Sequence, residues 1–321
     1  MNRFNRLIGA LATAGALLGV SYASAQEYPS KPVTLVHGLS VGGQTDLTVR
    51  VLAHSLSRIL NAPFVVQPKP GAAQQIAAAF LANAPADGYT IGHFYQGAFS
   101  TTPLLQPSAV NVDDLTPIIG WQISPQLLVV RGDSPYKNLA DLVAAAKATP
   151  DIPYGHLGKG TVTFMAPTVF SKVAGIRLND IQYKGDADLI TAVMGGHIQM
   201  ASITEVAAAP LLEAGKLRAL VTFAKQRTSA FPDIPTFEEQ GFNVPIQVPV
   251  GIIFVPKGTP PAITRKLGDA IRQVMKDEKA KAEFARMKLA LYDLDSKAVS
   301  ELIENERKTY QPILKETGLI K

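Results

Sequence analysis

A chain of 321 residues, 47% hydrophobic and 18% charged, is long enough to bury two cores of ordinary domain size and too apolar to stay disordered. Its formal charge of +5 is scattered singly, without the basic block and interleaved aromatics that nucleic-acid binding needs. With no cysteine, no disulfide contributes, and stability has to come from packing.

The first 25 residues stand apart. Arg3 and Arg6 form a positive start, Leu7 to Val20 is apolar, and Ala23-Ser24-Ala25 supplies small residues for cleavage. This reads as a secretory signal peptide cut after Ala25, too short and wrongly flanked for a membrane span. No later segment approaches the roughly 20 apolar residues of a spanning helix.

From there short apolar runs alternate with helical periodicity. A strand is predicted at 33–37 and a helix at 45–60, with Leu47, Val51, Leu52, Leu56, Ile59 and Leu60 on one face. A strand at 64–67, a helix at 74–83 and a strand at 89–94 follow. The rhythm restarts at 126–130 and runs through helix 139–148, strand 152–156, helix 163–174, strand 180–183, helix 187–194, strand 197–202, helix 206–214 and strand 217–223. A Pro- and Gly-rich stretch at 230–251 precedes a strand at 251–255 and two long helices, 260–287 and 296–316. Strand–helix–strand units imply right-handed crossovers and mainly parallel sheets. The arrangement that fits is two α/β lobes, 26–124 with 246–321 and 125–245, joined by two crossovers around a central cleft. Ligands of such sheets sit beyond the carboxyl ends of the strands.

Three strand-to-helix turns face that cleft. In the first, Gly38-Leu39-Ser40-Val41-Gly42 spells the G-x-S-x-G of a hydrolase nucleophile elbow. However, Ser40 follows the first strand of the mature chain, with nothing upstream for half of an oxyanion hole. None of His54, His93, His156 or His197 has a spacing that singles it out as base. The better reading is a loop in which Gly38, Gly42 and Gly43 adopt positive φ, and Thr45 or Asp46 caps a helix whose N–H groups hold an anion. The second turn carries Gly158, Gly160, Thr161 and Thr163. The third carries Tyr183, Lys184, Gly185 and Asp186, with Lys184 either an ion-pair partner or a solvated lysine. No metal-ligand spacing occurs, and Trp121 and Tyr95 read as core or hinge packing.

Tyr28-Pro29-Ser30-Lys31-Pro32, Gly42-Gly43-Gln44-Thr45-Asp46, Asp87-Gly88-Tyr89-Thr90, Tyr183-Lys184-Gly185, Gly195-Gly196, "AGKLRAL" at 214–220, "FPDIPTFEEQG" at 231–241 and "VPKGTP" at 255–260 occur in a specific order and spacing. Over essentially the whole mature chain this resembles the Bug family of periplasmic solute receptors, the substrate-binding components of tripartite tricarboxylate transporters. The resemblance implies a type II periplasmic-binding-protein fold that binds a small organic carboxylate, di- or aromatic. It implies delivery to integral membrane subunits from a periplasmic, monomeric protein without enzyme activity, cofactor, metal or nucleic acid. By position it implies ligand contacts from Leu39, Ser40, Gly42, Gly43, Thr45 and Asp46; from Gln96, Gly97 and Ala98; from Thr161 and Thr163; and from Lys184, Gly185 and Asp186. Departures are Gly38-Leu39 for the family's Pro-aromatic, Pro70-Gly71-Ala72-Ala73-Gln74-Gln75 for Pro-Gly-Ala-Gly-Gly-Asn, and Ile203 beside Thr204 for a common aspartate. Losing that acid favours a plain organic acid over an amino acid. The competing readings are an exported hydrolase using Ser40 and a receptor serving a sensor kinase.

Overall fold

The computed structural model describes residues 27–321; the expected signal peptide lies outside the described residues. The chain first forms β1 (Val33–His37), α1 (Gln44–Leu60), β2 (Phe64–Pro68), α2 (Gln75–Ala82), β3 (Thr90–Tyr95), the short α3 (Thr102–Leu105) and β4 (Leu115–Ile123). It then lays down β5 (Gln126–Arg131), α4 (Leu139–Ala148), β6 (Ile152–His156), α5 (Val162–Val173), β7 (Leu178–Gln182), α6 (Asp186–Met194), β8 (Met200–Thr204), α7 (Glu205–Glu213) and β9 (Leu217–Thr222). It closes with β10 (Val250–Pro256), α8 (Pro261–Lys276), α9 (Glu278–Arg286), β11 (Ala290–Asp295) and α10 (Ser296–Glu316).

Two sheets result, ordered β11-β4-β10-β3-β1-β2 and β7-β6-β8-β5-β9. The protein is a two-lobed α/β fold of the periplasmic-binding-protein kind, but its sheets are mixed rather than mainly parallel. Parallel pairing is confined to β1–β2, β1–β3, β6–β7 and β6–β8. The cause is the crossings. Strands β1, β3, β6 and β8 end at the cleft, whereas β5 and β10 begin there, directly after the chain changes sheet. Those two therefore run away from the cleft, antiparallel to their neighbours.

Each sheet is sandwiched between apolar layers. Around the first sheet, Val33, Leu35, Leu52, Leu56 and Ile271 pack on one side and Val36, Phe94, Phe99 and Ile252 on the other. Around the second, Leu128, Tyr154 and Phe170 oppose Leu127, Val129, Leu189 and Ile203. A smaller cluster joins Phe164 and Met165 of α5 to Tyr310 and Leu314 of α10, across the lobes.

Three local readings need correction. The helix expected over 260–287 is two, because Asp277 takes extended angles (φ −69°, ψ 122°) and its carboxylate accepts from the Ala280 N–H at 2.9 Å, capping α9. Strands β4 and β11 went unread: Pro117 and Gly120 interrupt the pattern of β4, and β11 is a largely exposed edge. Leu47, expected on the buried face of α1, is exposed.

The turn before α2 departs from helical geometry. Ala72, Ala73 and Gln74 have φ of 48°, 51° and 75°, three successive side chains in the left-handed region. This delivers the Gln74 side chain towards the cleft. Ala72 is exposed, so Ala72→Gly removes strain without opening a cavity. Urea unfolding should show the variant more stable by about 0.5–1 kcal/mol.

Candidate functional site

The two turns that follow β1 and β6 are built alike. His37 and His156 end these strands, fully buried, and each Nδ1 accepts an N–H from two residues on: Leu39 at 3.4 Å and Gly158 at 2.9 Å. Each Nε2 then faces a carboxylate, Asp46 at 3.2 Å and Asp180 at 3.3 Å. Burial holds both imidazoles below their ordinary pKa, so they are neutral, with Nε2 as the donor. Asp46 also accepts from Gly42 N–H at 3.1 Å and Arg50 Nε at 3.0 Å. Burial opposes its ionisation, but the bonds from Arg50 and Gly42 outweigh this and keep its carboxyl below the usual range. Asp46 braces its own loop.

The first and third turns hold each other. Ser40 N–H donates to Lys184 O at 3.0 Å, and a Cβ on Gly185 would lie 1.9 Å from Ser40 Oγ. The buried Asp186 carboxylate accepts from Thr204 Oγ1 at 2.9 Å and from Thr204 N–H at 3.3 Å, and the Gln44 N–H at the start of α1 favours its charged form. Gln44 is the first residue of α1, so the anion at that helix end belongs to the protein itself. Burial pushes the Asp186 carboxyl up to about 6 despite these bonds. On the same side Thr45 Oγ1 bonds Tyr95 OH at 3.1 Å.

The lobes are closed on each other. Thr101 Oγ1 donates to Gly160 O, and Thr102 Oγ1 to Lys159 O at 3.3 Å. Gly160 has φ 89°, and any Cβ there would come within 2.4 Å of the Thr102 backbone. Between the lobes lies a cavity of about 490 Å³, enclosed by the contacts just described, so an organic acid enters when the lobes part.

Of the residues expected from sequence, Leu39, Gln96, Gly97, Ala98, Thr161, Thr163 and Thr204 line this cavity. Ser40, Gly42, Gly43, Thr45, Asp46, Gly185 and Asp186 do not; Ser40, Gly185 and Asp186 belong to the interlock described above, and Asp46 braces its own loop. Of the first loop's glycines only Gly42 is left-handed (φ 81°), and it is exposed; Gly43 has φ −77°. Lys184 borders an open surface depression with Gln182, Asp188 and His197. Ile203 points into the apolar layer with Ala201, because alternate residues of β8 face opposite sides; Thr204 next to it faces the cavity.

The walls also include Gln74, Tyr95, Gln126, Leu157, Val162, Pro249 and Glu306. Tyr95 is thus a wall residue that also packs against the second lobe's apolar layer, and Trp121 is buried in the first core. Glu306 had one sequence signal: it falls on the α10 face otherwise occupied by Val299, Ile303, Tyr310 and Leu314. Among the described residues no Lys, Arg or His lines the cavity. What it offers an anion is backbone. Thr161 precedes α5, but its hydroxyl donates to Gly158 O at 2.7 Å instead of capping the helix. The Val162 and Thr163 N–H groups are left without a partner among the described residues, as are those of Gly97 and Ala98 across the cleft. These segments are adjacent: a Cβ at Gly97 would sit 3.2 Å from Gly160 O.

Residues 48–319 match the family described as tripartite tricarboxylate transporter family receptor. The chain belongs to that family. The receptor is 34% identical over 319 residues to the "UPF0065 protein in gbd 5'region" of Cupriavidus necator, covering 97% of this chain and 96% of that one. It is 29% identical over 327 residues to Protein BugT of Bordetella pertussis, at 99% and 98% coverage. Among solved structures, periplasmic binding protein BugD superposes with a TM-score of 0.85 at 26% identity, covering 92% of the receptor and all of BugD. The R. palustris protein Rpa4515 with adipate gives the same TM-score and identity, at 91% and 99% coverage. BugD is a periplasmic binding protein, and Ser40 Oγ of the receptor is buried without a hydrogen-bond partner among the described residues.

Two outcomes follow from the geometry. Gly185→Ala drives a methyl into Ser40, so the lobes cannot close. Small-angle scattering should show a larger radius of gyration for the variant, with melting largely retained. Separately, burial pushes the Glu306 carboxyl up to about 7, Ser100 and Gln96 opposing. The folded chain then keeps protons on Glu306 and Asp186 that the unfolded chain releases near pH 4. Stability from these two groups is therefore highest in acid and is lost as pH rises from about 4 to 7. Glu306→Gln removes its share, so in urea titrations the variant should exceed the parent by on the order of 2–3 kcal/mol at pH 8 and differ little at pH 4.

Proposed function

We propose that the receptor binds a small organic carboxylate in the interlobe cavity and delivers it to the membrane subunits of a tripartite transporter. The observation that carries this reading is the set of four unpartnered N–H groups, on Gly97 and Ala98 from one lobe and Val162 and Thr163 from the other. A carboxylate between them accepts bonds from both lobes at once, so its binding energy goes directly into closure. The α5 dipole adds to the attraction, and distributed dipoles take the place of a cation. Leu39, Leu157, Val162 and Pro249 suit the hydrocarbon body of the acid, and Gln74, Gln126, Thr161, Thr163 and Thr204 its remaining polar atoms. The adipate held by Rpa4515 makes linear dicarboxylates the first compounds to try.

The lobe boundaries we adopt are 26–124 with 246–321 and 125–245, supported by strand membership of the two sheets. Export with cleavage after Ala25 belongs to the same reading and is supported by the likeness to the periplasmic binding protein BugD. An intact mass beginning at Gln26 would support it. Full-length chain retained in the cytoplasm would count against it.

A thermal-shift screen of linear diacids and aromatic acids selects the ligand, and calorimetry of three variants then tests the site. Val162→Pro deletes one N–H at the first helical position, where proline is tolerated, and Thr161 already has the extended angles (φ −71°, ψ 156°) that a following proline demands. It should cost about 1.5–3 kcal/mol of affinity, the worth of a hydrogen bond to a charged group. Val162→Ala keeps the N–H and should cost less. Lys184→Ala, outside the cavity, should leave the dissociation constant within about twofold. Normal binding by Val162→Pro with loss in Lys184→Ala would move the site out of the cavity.

A further inference from the structure

The cavity that holds the four free N–H groups also exposes a carboxyl. Glu306 is 4% accessible, lines the cavity from α10, and accepts from Ser100 Oγ. Gln96 lies beside it, its amide engaged with Val248 O at 3.2 Å and Val250 N–H at 2.7 Å. Among the described residues no positive group faces it from any element packed on α10. Strand β4 has no charged side chain. On β11, Asp293 pairs with Arg272 and Asp295 caps the far end of α10. On α5 the neighbours are Phe164 and Met165. On α10 itself, Arg307 donates to Phe99 O at 2.9 Å and reaches Glu304, and Tyr310 is a neutral phenol whose hydroxyl donates to Pro245 O at 2.9 Å. The other ionisable wall group, Tyr95, is pushed by burial up to about 12 and is also neutral.

A carboxylate ligand entering this space meets a second carboxyl in a closed, cation-free, low-dielectric cavity. Two like charges so confined cannot both stay ionised, and one proton between them turns repulsion into a short hydrogen bond. We propose that the receptor takes up its acid together with one proton, shared between Glu306 and the ligand carboxylate. This rests on the carboxylate reading above. It gives Glu306 a role in specificity, because a ligand with no group able to share or donate that proton is left facing an acid. The position of Glu306 in free protein supports it: burial already raises its carboxyl to about 7, so the proton is available at modest cost near neutrality. Above that pH, binding has to draw the proton from solvent.

The probe is adipate, titrated calorimetrically into the full mature receptor from pH 6.5 to 8.5, in pairs of buffers with different ionisation enthalpies. The expected result is uptake of close to one proton per adipate at pH 8.5, far less at pH 6.5, and a dissociation constant rising on the order of twentyfold between the two. Glu306→Gln, nearly isosteric and still able to accept from Ser100, should abolish the uptake and flatten the profile, whatever affinity it settles at. Melting of the variant checks its fold, and the proton uptake of the parent needs no variant at all. Adipate binding with no proton uptake and no pH dependence overturns the inference. So does a Glu306→Gln variant that still takes up a proton. If neither adipate nor any other acid of the screen binds at any pH, the carboxylate reading itself fails, and this inference fails with it.

Discussion

A buried carboxylate of one lobe sits on the first N–H of a helix in the other, and the closed architecture is organised around that contact. Asp186 accepts from both donors of Thr204 and is favoured as an anion by the Gln44 N–H, so it links α1, α6 and β8 where the lobes meet. Burying a carboxylate is costly unless its oxygens are satisfied, and three donors with a helix dipole offset most of that cost. The consequence is spatial. The N-terminus of α1 already has its anion, so the open helix end in the cleft is that of α5. The cavity accordingly lies against Gly97, Ala98 and Val162, not against the loop at 40–46.

The same economy governs the turns. His37 and His156 accept an N–H from the loop that follows them and hand a proton to an aspartate beyond, which fixes each strand-to-helix turn without a ligand. Rigid turns permit very close approach. Gly185 against Ser40 and Gly160 against Thr102 are contacts in which no side chain fits. Leu39 enters the apolar layer of the opposite lobe beside Leu127 and Leu157, adding hydrophobic closure to the polar interlock. Closure is thus largely self-complementary, and a ligand has only a modest remaining gap to fill.

Self-complementarity has a functional side. A receptor that closes on its own internal contacts must be held open, or be only weakly closed, when empty. Groups that cost stability near neutrality supply such a counterweight. Asp186 and Glu306 both carry carboxyls raised by burial, one in the interlock and one in the cavity wall. Each makes the folded chain less stable as pH rises from the unfolded carboxyl's range through its own, for the same reason: desolvation penalises the charged form.

How much was legible in the sequence follows the range of the interactions concerned. Helix α1, strands β1 and β6 and the glycine turns after them depend on local periodicity and on residues within a few positions, and these can be read directly. The ordered motifs from Tyr28 to Pro260 carried the family, and with it the two-lobed fold. The gaps in the reading have physical causes too. Mixed pairing arises because β5 and β10 start at the crossings, a property of the path and not of any strand's composition. Gly43, Asp46 and Asp186 lie off the cavity wall, and a loop that binds an anion and a loop that binds its opposite number use the same glycines, hydroxyls and acids. Only their positions relative to each other distinguish the two. Glu306 lies 206 residues from Ser100, its hydrogen-bond partner, and no periodicity spans that interval. The sequence by itself therefore determined most of the elements and the family, since these rest on local backbone preference and recurring motifs. The tertiary structure alone decided which helix end is free and which acid faces the cavity, since those depend on closure bringing distant segments within a few ångströms.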